Sequence, residues 1–153
     1  MQCLQERHAP TNRCFGCGPA NPQGLRIQSH PEGDELIAHW TPEAHHLAFT
    51  DILNGGIIGT LLDCHANWTA AWHLMNSRGV GFPPSTVTSD FHIRLRRPTP
   101  TAGLLTLRAH VETSDDPRVH VVGSLEAEGV ITATVKGLFV AVTEGHPAFH
   151  RWD

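Results

Sequence analysis

The stretch Leu53–Asp63, LNGGIIGTLLD, holds the residues best placed for chemistry. Asn54 precedes Gly55 and Gly56, and an apolar pattern at three- and four-residue spacing follows. A helix starting here leaves backbone N–H groups unpaired and the positive end of its dipole open to a ligand oxygen. Asp63 stands among Leu61, Leu62 and Cys64. A carboxylate in such company finds a partner, keeps its proton to higher pH, or faces a cavity. Two chemistries suit it: a general base acting on water, or a nucleophile that forms an anhydride. The competing reading is a structural acid paired with Asn67, Thr60 or an arginine. Gly55 and Gly56 can equally serve close packing, and Asn54 is a favoured helix N-cap.

The elements that must position these residues are legible in outline. Ile57, Leu61, Trp68, Trp72 and Met75 recur at helical spacing, which predicts one long, largely buried helix from Gly56 to Asn76. A narrower stripe of small or polar residues, Gly56, Gly59, Thr60, Asp63, Asn67 and Ala70, suits close approach by a ligand or another backbone. Leu25–His30 and Glu35–Trp40 read as strands joined by a turn at His30–Asp34. Thr41–Ile52 is a connection with room for a short helical turn. After the glycines and prolines of Ser77–Pro84, four strands are expected: Ser85–Arg97, Leu104–Thr113, Val119–Glu128 and Val130–Thr143. In the first of these, Val87, Ser89, Phe91, Ile93 and Leu95 are expected on one face, with Thr88, Asp90, His92, Arg94 and Arg96 on the other. The last is apolar on both faces and is expected to be central in the sheet or covered on both sides. Residues 1–24 are expected to form a loop extension packed on a single domain spanning 25–153, and the tail after Thr143 reads as irregular. One helix and six strands fit an α+β fold, a curved antiparallel sheet wrapped around the helix, whose edges and outer face call for a partner subunit.

The 153 residues suit one domain, and 40% hydrophobic with 17% charged residues is an ordinary globular composition. A net charge of −4 argues against a nucleic-acid partner. No apolar run is long enough to cross a membrane, so no membrane association is expected. The start has no export signal, so a cytoplasmic location with reduced thiols is expected for Cys3, Cys14, Cys17 and Cys64. Cys14 and Cys17 make one C-x-x-C, with Cys3, His8 and Cys64 as further possible ligands. Structural zinc usually needs two paired spacings, so no metal is expected. A redox C-x-x-C wants a following helix in a βαβ context, and none is evident. His45, His46, His65 and His73 do not have metalloprotease spacing. Arg94, Arg96 and Arg97 form a local basic group suited to phosphate oxygens, or simply a solvated strand end. Trp68, Trp72, Phe49 and Phe82 are candidates to line an apolar pocket, with core packing as the alternative.

Element order and two segments carry a resemblance to a known family. LNGGIIGTLLD resembles the HGG-type helix start of the hotdog-fold acyl-CoA thioesterases of the PaaI-like, 4-hydroxybenzoyl-CoA thioesterase-like group. STVTSDFHIRLRRPTP resembles their following strand, and CFGCGPANPQGLRI an extension found in a subset. The resemblance spans about residues 14–143. It implies a hotdog fold, hydrolysis of an acyl-CoA to free acid and coenzyme A, and no cofactor. It implies that the Gly55 N–H binds the thioester carbonyl, Asp63 activates water or attacks, and Thr88 assists. Gly56, Arg94, Arg96 and Arg97 are then candidate substrate-binding residues. It implies a site shared between two subunits of a homodimer or homotetramer. Asn54 stands where most members place histidine; it can orient a carbonyl but cannot donate a proton near neutral pH. That departure keeps a non-catalytic acyl-thioester-binding module open as the alternative, and it disfavours a dehydratase.

Overall fold

Asn54 fixes the start of the central helix. Its backbone is extended and its side-chain oxygen accepts the Ile57 N–H at 3.1 Å, so the helix α2 runs Gly55–Ser77. The computed structural model describes residues 1–153. Two hairpin strands, β1 (Ser29–Glu32) and β2 (Glu35–Trp40), precede a 3-10 turn at Ala44–His46 and a two-stranded ribbon of β3 (Leu47–Phe49) and β4 (Ile52–Leu53). After α2 come β5 (Thr86–Leu95), β6 (Leu105–Asp115), β7 (Arg118–Ala127) and β8 (Val130–Ala141). The six long strands form one antiparallel sheet in the order β1-β2-β6-β7-β8-β5. This is the hotdog arrangement, an α+β fold with the sheet curved around one helix.

Alternation along the strands builds the inner face of the sheet. Leu36, Ala38, Leu105, Leu107, Ala109, Val119, Val121, Leu125, Val135 and Phe139 are buried and pack into the core with α2. From Leu61 to Ala71 the helix is buried on nearly every side; only Asp63 is half-exposed. The outer face of β8 is more open than expected. Lys136 is exposed, and Thr134, Leu138 and Val140 are half-exposed, because no second layer of this chain covers them.

The strand expected at Leu25–His30 is shorter. The Leu25 and Ile27 amides donate to the Phe15 and Gly16 carbonyls instead, and pairing with β2 begins only at Ser29. The register of β5 also differs. Ser89 is bulged between Thr88, opposite Phe139, and Asp90, opposite Leu138. An extra residue reverses the alternation. Thr86 and Thr88 therefore meet the helix, and so do Ile93 and Leu95 beyond the bulge.

The N-terminal segment is not all loop. Leu4–His8 forms a short helix, α1, with Cys3 as N-cap. It delivers Gln5 to a buried polar chain. Gln5 Nε2 donates to Ser29 Oγ at 2.9 Å, the Ser29 N–H donates to Gln5 Oε1 at 2.8 Å, and Ser29 Oγ lies 2.8 Å from His65 Nδ1. His65 Nε2 reaches the Leu36 carbonyl at 2.9 Å. Acting as the donor there, its imidazole leaves Nδ1 to accept from Ser29, so every member is satisfied while the ring stays neutral.

Burial pushes the His65 pKa down to about 4. The unfolded chain binds this proton near the ordinary value, so stability is fully present above about pH 6.5 and is lost as pH falls from there towards 4. The expected loss is about 3 kcal/mol at most. Urea titrations at pH 7 and pH 4.5 check it. A His65→Gln variant, less stable at pH 7, is expected to lose less of its stability over that window. An equal loss in both chains contradicts the assignment.

The tail is irregular, as expected, but it is anchored. Trp152 is 2% exposed, stacks 4.2 Å from the Trp68 ring, and donates its indole N–H to the Pro84 carbonyl at 2.9 Å. Arg151 donates to the Thr86 carbonyl at 2.6 Å.

Candidate active site

Asn54 Oδ1 and the Asn54 carbonyl cap the amides of Ile57 and Ile58. The Gly55 and Gly56 amides remain as the donors at the mouth of α2. A cleft of about 350 Å³ opens beside Gly55. Phe49, Ile52, Ile58 and Leu95 supply apolar wall, and Arg96 and Arg97 also line it. Asn54 Nδ2 makes no bond within the chain and is free to donate. Arg94 is exposed but does not line this cleft, and Arg96 Nε is shared with Thr134 Oγ1 at 3.1 Å.

Asp63 lies two turns further along. Thr88 Oγ1 donates to Asp63 Oδ1 at 2.7 Å, brought there by the edge strand β5. The structural alternatives are otherwise engaged: Asn67 pairs with Thr86, and Thr60 donates to the Gly56 carbonyl at 3.0 Å. Asp63 enters no ion pair. Burial raises its pKa, opposed by the Thr88 hydrogen bond and the Arg151 charge, with the Cys14 sulfur adding to the rise. A carboxylate of this kind is more basic than an ordinary aspartate, as a general base requires. The helix face around it is open: a Cβ placed on Gly59 would meet nothing within 4 Å.

Gly55 and Asp63 are eight residues apart on one helix, which places them about 12 Å apart along its axis. Both cannot touch one carbonyl group from the same chain. Asp63 does not line the Gly55 cleft.

Of the aromatic candidates, Phe49 lines the Gly55 cleft, whereas Trp68 is core. Trp72 borders a separate cleft near the C-terminal end of α2, and Phe82 sits by the tail. Arg151, whose charge acts on Asp63, was not singled out from the sequence. It lies in an irregular tail far along the chain, where no pattern announces it.

No protein-family model matches the sequence, and no curated protein matches it. Solved structures do. A thioesterase superfamily protein from Shewanella loihica PV-4 superposes with a TM-score of 0.66 at 26% identity, covering 76% of this chain and 91% of that one. A second thioesterase superfamily protein gives 0.71 at 22% identity, covering 92% and 69%. The E. coli PaaI protein from the phenylacetic acid degradation operon gives 0.66 at 16% identity, covering 78% and 81%. The chain has the hotdog fold shared by thioesterase superfamily proteins. No helix is long and apolar enough to cross a membrane.

Proposed function

We propose that the chain is an acyl-CoA thioesterase whose active site forms between two copies, as a homodimer or a pair of dimers. Gly55 of one copy holds the thioester carbonyl, and Asp63 of the other supplies the base. Asp63 takes a proton from water, the oxygen attacks the carbonyl carbon, and the Gly55 N–H stabilises the tetrahedral oxyanion. Collapse breaks the C–S bond and releases the thiolate, which picks up a proton from solvent. In the nucleophilic route Asp63 itself attacks, and water then cleaves the anhydride. Thr88 holds the carboxylate, and Asn54 Nδ2 orients the carbonyl side.

The observation that carries this reading is Asp63: a half-buried carboxylate with no ion pair, held by one hydroxyl, on an open small-residue face of the helix. The test is thiol release from short, medium, long and aromatic acyl-CoAs. Turnover on at least one is expected. The non-catalytic binding module is favoured by Asn54, whose side-chain oxygen is committed to the cap and which offers no titratable proton. Saturable binding without turnover on any thioester supports that module instead.

Arg97 lines the Gly55 cleft, and the proposed role for it is to meet coenzyme A phosphates there. Arg97→Ala is then expected to raise KM several-fold, with kcat little changed, because a distant phosphate contact contributes about equally to ground and transition states. A fall in kcat at constant KM contradicts the phosphate role. Gly56 and Arg96 are proposed to lie along the same substrate path, with Arg94 further out.

A further inference from the structure

Cys14 and Cys17, from the loop between α1 and β1, meet Cys64 from the middle of α2. Their sulfurs all lie within 4.8 Å of one another, and Cys14 Sγ is 3.8 Å from Cys64 Sγ. All are free thiols. Four sulfurs around zinc at about 2.3 Å stand about 3.8 Å apart along a tetrahedral edge. Cys3, the fourth cysteine, is not part of the group.

The surroundings are built for this convergence. The loop folds back on itself, with the Gly18 N–H on the Cys14 carbonyl at 2.9 Å and the Cys14 N–H on Asn12 Oδ1 at 2.9 Å. A Cβ on Gly16 would lie 2.4 Å from Cys64 Sγ, so only glycine lets this loop press on the helix at that point. One turn along α2, Trp68 is 1% exposed and its Nε1 has no hydrogen-bond partner. The Cys17 sulfur is near this N–H, without a hydrogen bond between them. A neutral thiol is a weak acceptor, whereas a metal-bound thiolate takes such donors well.

We propose that Cys14, Cys17 and Cys64 bind a zinc ion through three thiolates, with the fourth position open to solvent on the side of the half-buried Cys14. Each thiol still protonated gives its proton to solvent, and each sulfur donates a lone pair to the cation. The ion ties the N-terminal segment to α2 next to Asp63. This inference does not rest on thioesterase activity.

The full chain, purified in reductant and stripped with chelator, is titrated with cobalt(II) and then zinc. A thiolate-to-cobalt charge-transfer band is expected to saturate at about one equivalent and to vanish when zinc displaces the cobalt. Cys14→Ser is expected to lose about a third of the band or more, and Cys3→Ser to keep all of it. Zinc is expected to raise the Tm of wild type and of Cys3→Ser but much less that of Cys14→Ser; circular dichroism verifies that the variants fold. Absence of the band in fully reduced wild type overturns the site. So does a band unchanged in Cys14→Ser, or a disulfide among the three cysteines that persists in reductant.

Discussion

Asp63→Asn is expected to lower kcat/KM on acyl-CoA by roughly 10²-fold or more, the usual cost of removing a general base. The substitution keeps shape and leaves the Thr88 hydroxyl an oxygen to donate to. It removes no ion pair, since Asp63 makes none. Stability is therefore expected to hold or rise slightly, because a half-buried charge is gone. Activity and denaturation measured on the same preparation separate the two effects. In wild type, activity is expected to fall as pH drops through the raised Asp63 pKa, with the acid limb of kcat/KM above the ordinary aspartate range. Thr88→Val removes the bond that opposes that rise, which moves the limb to still higher pH. Unchanged activity in Asp63→Asn takes the residue out of the mechanism.

Trp152→Ala is expected to cost about 3–5 kcal/mol of stability, the range for emptying a buried aromatic site. The ring is 2% exposed and lies against Trp68, and its N–H satisfies the Pro84 carbonyl. Removing it opens a cavity and leaves that carbonyl without this donor. Because Arg151 is carried by the same tail and its charge acts on Asp63, the variant is also expected to shift the acid limb upward. Urea unfolding of wild type and variant measures the first effect. A difference under about 1 kcal/mol, typical of surface substitutions, contradicts the anchoring role.

Periodicity made α2 legible to within a residue at each end, because the Asn54 cap and the glycines mark its start and its apolar positions repeat over six turns. The strands from β5 to β8 were legible from alternation and turns. What alternation could not reveal was the Ser89 bulge, which depends on how β8 presents its backbone and so reverses the face of everything after it. Leu25–His30 looked like one strand because apolar spacing does not say which backbone will accept its hydrogen bonds; Phe15 and Gly16 take two of them. α1 is too short to show a period, and its Gln5 is buried only because Ser29 and His65 complete its hydrogen bonds. The meeting of Cys64 with Cys14 and Cys17 is a long-range contact that spacing along the chain does not encode. Asp63 and Thr88 were each named from the sequence, and their 2.7 Å contact follows from where β5 crosses the helix.

In the proposed site the Gly55 amide and the Asp63 carboxylate act together only across two chains, and mixed subunits separate that arrangement from a site within one chain. Gly55→Pro removes that one N–H at the first helical position, where proline is tolerated and where the extended Asn54 backbone suits a following proline. Gly55→Pro and Asp63→Asn, each expected to be strongly impaired alone, are unfolded together in equal amounts and refolded. Random pairing makes half the dimers mixed, each with one complete site, so about one quarter of wild-type activity is expected to return. A mixture no more active than its parents contradicts the shared site.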